Sequence, residues 1–374
     1  MKKVQIIALS LVMIFIFSAV SPIQASADPN IPEKSIQLTT DPHTGTIIVK
    51  TNLLTVKLNP TFPAFTYFYT SEDGQGILYY SGYSQLIEFN DQNGDLAFQR
   101  NETVKLISLP IFRWSITTNQ ITYSNGTLKE IRVTYTKVGL NREMIMKHPN
   151  IPMNYSLDAL NNFTMQFVAH IYTYNFVGTI QTDNESVKYT VTPNSEMKVD
   201  IIMGNFPFVN DTDLITLRVD LRTVTTKELR IMHRIRTMNR TELVNVSENW
   251  YKTGKMERLI NRLRNQTLSE IDLSNETRTG FYKWLNTATI TYPGESEKLV
   301  NVSATYAPDG IGIRLFLTYP NFDSGILVHD PSIGLSEISA TEPNDILSPS
   351  MQTVVFGIAI ITVIAMAVIV KKRS

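Results

Sequence analysis

Ile215-Thr216-Leu217-Arg218-Val219-Asp220-Leu221-Arg222 sets an apolar side chain at every second position and a polar or charged one between. A strand repeats every two residues, so Ile215, Leu217, Val219 and Leu221 share one face, while Thr216, Arg218, Asp220 and Arg222 take the other. On a helix the same residues would wind around all sides. The stretch therefore reads as a half-buried strand of an antiparallel sheet.

The same period recurs on both sides. Leu229, Ile231, His233 and Ile235 alternate with Arg230, Met232, Arg234 and Arg236. Ile131, Val133 and Tyr135 alternate with Arg132, Thr134 and Thr136, after a turn at Asn125-Gly126. Towards the N-terminus, short runs at 47–49, 53–56, 62–69 and 77–80 are separated by turn formers such as Asn59-Pro60 and Asp73-Gly74. Near the C-terminus, residues 300–306 turn at Pro308-Asp309-Gly310 and return over 311–319. Many short strands joined by turns define an all-β chain, an antiparallel β-sandwich that is either one large unit or two stacked ones. One segment departs from the period. Met256, Leu259, Ile260 and Leu263 fall at helical spacing and predict a short helix near 254–266. Two prolines in His148-Pro149-Asn150-Ile151-Pro152 mark 148–155 as the candidate seam for a subdivision.

The two ends of the chain predict its address. Lys2 and Lys3 precede an apolar run, and Ala25-Ser26-Ala27 offers the small residues of a signal-peptidase cut, which makes 1–27 a signal peptide. Met351 to Val370 carries no charge and is followed by Lys371, Lys372 and Arg373. As a helix it spans roughly 30 Å, the thickness of a bilayer core. Basic flanks stay inside, so the expected topology is a single-pass membrane protein. Residues 28–340 form its extracellular domain, 341–350 a proline-bearing stalk, 351–370 the span and 371–374 a cytoplasmic tail.

Composition narrows the function classes. The 34 basic and 34 acidic side chains balance, so no global field points to nucleic acid. No cysteine is present, so an exported domain of this sequence is held by packing, ions, glycans or neighbours rather than by disulfides. Asn-x-Ser/Thr sites occur at Asn101, Asn125, Asn154, Asn162, Asn184, Asn210, Asn239, Asn245, Asn265, Asn275 and Asn301. About five would arise by chance in a chain of this composition. The excess marks an N-glycosylated surface protein, with these asparagines in loops or on exposed faces.

The sharpest chemical pattern is Asp91-Gln92-Asn93-Gly94-Asp95-Leu96-Ala97-Phe98-Gln99-Arg100-Asn101-Glu102. Asp91, Asn93 and Asp95 stand at the first, third and fifth positions of a twelve-residue calcium loop. Ala97 supplies the main-chain carbonyl of the seventh position and Glu102 the carboxylate of the twelfth. These twelve residues resemble EF-hand and dockerin loops, which implies Ca2+ as the bound ion. Leu96 replaces the glycine of the sixth position, which leaves an ordinary hairpin turning at Asn93-Gly94 as the competing reading.

Signs of catalysis are sparse. His43, His148, His170, His233 and His329 show no metal-ligand spacing, and no nucleophile-elbow, phosphate-loop or zinc-protease motif occurs. Asp323, His329 and Asp330 cluster in sequence around a late strand, where a capped turn explains them equally well. Lys227 to Arg264 holds ten basic residues against four glutamates, and its sequons point to a solvated surface. The expectation is a membrane-anchored glycoprotein with a structural, adhesive or surface-layer-anchoring role, whose partners are envelope proteins or glycans. The alternative is a membrane-tethered hydrolase acting on envelope glycans or peptides.

Overall fold

A computed structural model describes residues 36–72, 77–141, 145–147, 157–181, 186–224, 232–237, 240–245, 268–272, 278–309 and 312–337. Among the described residues the fold is nearly all β, the strands pair antiparallel throughout, and helices are few and short. The helix expected near 254–266, the signal peptide, the stalk and the apolar segment 351–370 lie outside the described residues. Among the described residues no helix is long and apolar enough to cross a membrane.

Two large sheets carry the fold. The first runs in the order Gln37–Thr40, Ile47–Lys50, Leu54–Leu58, Ala64–Tyr69, Leu78–Phe89, Leu214–Val224, Gly312–Tyr319 and Ser303–Asp309. Thr103–Ser108 also pairs with Leu78–Phe89, beyond the reach of Ala64–Tyr69. The strand that opened the sequence reading, Leu214–Val224, is thus central, with partners on both sides. The second sheet contains Ser115–Thr122, Leu128–Val138, Thr164–Tyr172, Glu196–Gly204, Ser332–Glu337 and Arg278–Leu285 in that order. Ile326–His329 pairs with the far end of Glu196–Gly204. A separate hairpin, Phe176–Gln181 with Ser186–Val191, forms a two-stranded sheet.

Both sheets turn their apolar parity into one core. Ile215, Leu217, Val219 and Leu221 of the first are buried in the same cluster as Met165, Phe167, Ala169 and Ile171 of the second. This agrees with a β-sandwich. The chain on either side of 148–155 contributes to both sheets and to this core. Residues 157–162, just after that stretch, form a short helix that the sequence reading does not anticipate.

Tyrosine supplies the cross-ties that a chain without cysteine cannot make with sulfur. Tyr67 and Tyr69 donate to the Phe281 and Ser336 carbonyls at 3.1 and 2.9 Å. Tyr83 and Tyr282 meet hydroxyl to hydroxyl at 3.3 Å, and Tyr135 donates to the Asn59 carbonyl at 2.8 Å. A buried phenol needs a partner for its O–H, and each of these partners lies across the core or at its rim. The sheets also approach closely at Gly280, where an added Cβ would meet the Tyr79 ring at 2.4 Å.

Among the described residues one ion pair is wholly buried. Glu88 and Lys105 face each other across paired strands, 2.7 Å apart and both fully hidden from solvent. Lys105 also donates to the Pro207 carbonyl and sits 4.3 Å from the Phe206 ring centroid, while the Val209 N–H donates to Glu88. Burial raises the Glu88 carboxyl to about 7 against the pull of Lys105, and burial also lowers the Lys105 ammonium.

Candidate functional site

The outer face of the second sheet carries a row of alternating charges. Residues 130 and 132 on Leu128–Val138, 170 and 172 on Thr164–Tyr172, and 198 and 200 on Glu196–Gly204 have the parity opposite to the core residues of the same strands. Strand pairing brings them together, since His170 stands opposite both Arg132 and Lys198. Arg132 Nε donates to Glu130 at 2.9 Å, and His170 Nδ1 lies 2.7 Å from the same Glu130 Oε1. His170 Nε2 lies 3.1 Å from Asp200 Oδ2, Lys198 pairs with Asp200, and Lys198 Nζ stands 3.1 Å from Asp330 Oδ1. Lys283 pairs with Glu196 beside this row, and the Ser332 hydroxyl donates to Glu196.

The hairpin of residues 176–191 is bound to this row by aromatic rings. Tyr172 stacks on Phe176 with centroids 4.7 Å apart, and His170 stacks on Tyr172 at 5.8 Å. The Tyr189 hydroxyl donates to Asp330 at 3.3 Å. Tyr172, Tyr174 and Val191 form a second small core, with Tyr123, Phe176 and Tyr189 packed around it.

The electrostatics follow from this enclosure. Burial alone would strip His170 of its proton, but the Asp200 carboxylate, together with Glu130, holds its pKa above the ordinary value. With a carboxylate on each ring nitrogen, both N–H groups donate and the ring is an imidazolium. Burial would likewise raise Asp200, yet Lys198 and His170 hold it below the usual carboxylate range. Lys198 is kept protonated by Asp200 and Asp330 despite its burial. Glu130, Asp200, Asp330 and Glu196 thus gather on one face, and each stands beside a cation.

The sequence-predicted late cluster does not converge. His329 points into the core, where the Leu285 carbonyl accepts from Nε2 at 2.7 Å and the Tyr319 hydroxyl lies 2.9 Å from Nδ1. Asp330, the next residue, joins the charge row, and Asp323 sits exposed in a left-handed turn. His170 and its partners escaped the sequence reading. The alternation of each strand was visible, but no local signal says which strands lie side by side.

The Asp91 loop is neither a tight hairpin nor a gathered acidic centre. It leaves Leu78–Phe89 and enters Thr103–Ser108 through a 3-10 turn at Arg100–Glu102. Asp91 accepts the Asp95 and Leu96 N–H groups at 3.1 and 2.8 Å, Asn93 accepts the Asp95 N–H at 2.9 Å, and Asp95 accepts the Ala97 N–H at 2.8 Å. Leu96 adopts φ +57°, the left-handed conformation that glycine takes at this position, with its side chain 45% exposed. Its carbonyl accepts from the Ser303 hydroxyl at 2.6 Å. Glu102 is only 5% exposed, and its buried Oε2 has no hydrogen-bond partner. Burial raises its pKa, and the Asp91 and Asp95 carboxylates raise it further. Among the described residues no group of three or more Asp, Glu or His side chains is arranged to hold a metal ion.

No protein-family model matches this sequence, and a search of curated proteins finds no match. Among solved structures, galactose 1-epimerase from Lactobacillus acidophilus NCFM is similar at 10% identity and TM-score 0.29, covering 81% of this chain and 99% of its own. The Slr1438 protein from Synechocystis sp. PCC 6803 is similar at 8% identity and TM-score 0.31, covering 84% and 99%. Superpositions this loose carry no argument about what this chain does.

Proposed function

We propose that this chain is an exported, single-pass membrane protein, N-glycosylated over a β-sandwich, with a structural or adhesive role such as holding a surface layer or envelope partner to the membrane. The observation that carries the reading is the placement of the sequons. Asn101, Asn125, Asn162, Asn210 and Asn301 are all exposed, and each lies in a turn or loop or at the end of a helix or strand. A glycan is bulky and must reach water, so a buried sequon would have counted against the idea. The side chains of Asn154, Asn184, Asn239, Asn245, Asn265 and Asn275 lie outside the described residues. The apolar segment 351–370 with its basic flank supports the anchor.

Protease added to intact cells tests the topology. Loss of the bulk of the chain is expected, and protection until the cells are lysed would end the reading. A lattice role further requires co-fractionation with the insoluble envelope.

A membrane-tethered hydrolase is the second reading, favoured by the gathering of Glu130, Asp200 and Asp330 around His170 and Lys198. Against it, these carboxylates are neutralised in place, whereas general acid-base work needs a group free to exchange its proton. Hydrolysis of envelope glycans or peptides that is abolished in Asp200→Asn, with the fold retained, would reverse the preference.

A further inference from the structure

We propose that the loop from Asp91 to Glu102 binds one Ca2+ ion, through side-chain oxygens of Asp91, Asn93, Asp95 and Glu102 and the main-chain carbonyl of Ala97. The inference stands apart from the surface role, since neither topology nor glycosylation enters it.

Glu102 carries the argument. A carboxylate that is nineteen-twentieths buried, with one oxygen unpartnered, is costly unless something compensates its charge. The Glu102 main-chain carbonyl accepts the Asn90 N–H at 3.0 Å, which sets it beside the first residue of the loop. A hard cation bound there removes the penalty.

The ligand set suits calcium in particular. Asp91 and Asn93 already accept backbone N–H groups, which holds their oxygens in place, and each oxygen keeps lone pairs for an ion. The three carboxylates do not close into a cluster of their own. The shell needs the Asn93 amide and the Ala97 carbonyl, and such a mixed, adaptable oxygen set fits Ca2+ better than the small, octahedral Mg2+. The left-handed backbone at Leu96 gives the bend that a calcium loop needs at its sixth position, although the residue is not glycine.

The test uses full-length protein, purified in detergent and stripped with a chelator. Its melting temperature and bound metal are followed as Ca2+ or Mg2+ is added up to about 10 mM, tenfold above the weak end of the range for extracellular calcium modules. One equivalent of bound Ca2+ is expected, with a melting temperature that climbs with calcium concentration and climbs less with Mg2+. Glu102→Gln should still melt cooperatively but lose the calcium-dependent rise. Asp91→Asn makes the same test should Glu102→Gln fail to fold. No bound calcium and no shift in the wild type, or a wild-type response from both variants, would overturn the proposal.

Discussion

Tyr319 Oη lies 2.9 Å from His329 Nδ1 in the core, while the opposite ring nitrogen meets the Leu285 carbonyl at 2.7 Å. A carbonyl can only accept, so Nε2 carries the proton and Nδ1 receives the Tyr319 hydroxyl. The ring is therefore a neutral bridge between the strand Gly312–Tyr319 of the first sheet and Ile326–His329 of the second.

That bridge makes stability sensitive to acid. Burial lowers the His329 pKa to about 4, against about 6.5 in an unfolded chain. Between those values the unfolded state takes up a proton that the folded state refuses, so the contribution of His329 is present above about pH 6.5 and is lost as pH falls. His170 works in the opposite direction. Its folded pKa is raised by Asp200 and Glu130 against the effect of burial, so its contribution is present below about pH 6.5 and fades as pH rises through the folded value. Urea melts from pH 4 to 9 should show His329→Gln flattening the acid limb and His170→Gln flattening the alkaline one. Parallel displacement of the whole curve by either variant would contradict this assignment.

The cross-sheet tyrosines should act as separable ties. Tyr69→Phe removes the donor to the Ser336 carbonyl. A loss of about 1 kcal/mol is expected, and the same for Tyr135→Phe, measured by denaturant unfolding. Gly280→Ala should cost more, about 1–3 kcal/mol, because its Cβ would run into the Tyr79 ring.

Removing one member of the buried Glu88–Lys105 pair should be worse than removing both. Lys105→Met leaves a carboxylate with no exposure and no cation, a change that costs about 3–5 kcal/mol in buried pairs. Glu88→Gln combined with Lys105→Met should recover most of the loss. Additive losses in a double-mutant cycle would show that the pair is not coupled.

Leu96→Gly should stabilise the loop. The left-handed conformation costs a residue with a Cβ about 1–2 kcal/mol, partly offset by the greater freedom of glycine in the unfolded chain. Little burial is lost, since the side chain is largely exposed. Leu96→Val should move the melting temperature the other way, because a β-branched residue tolerates that backbone least.

The period of two in the sequence determined much of this architecture. Ile215 to Leu221 and Ile131 to Tyr135 are core-facing, as their alternation requires, because side-chain direction in a strand is a local property of the backbone. Exposure of the described sequons was legible for a similar reason, since Asn-Gly and Asn-x-Thr sites favour turns. Alternation failed where the backbone broke its own rule. The register between Leu78–Phe89 and Leu214–Val224 shifts at Arg218/Val219, so Tyr83 and Leu86, of opposite parity, both reach the core.

The charge row lay wholly beyond the sequence. Glu130, His170, Lys198, Asp200 and Asp330 are spread along the chain, and each alone is an ordinary polar residue on the outward parity of a strand or just past its end. Only the lateral order of strands, set by long-range hydrogen bonding and core packing, places them within reach of one another. A linear pattern records which way a side chain points. It holds no record of what stands opposite, because that is chosen by the energy of the whole core.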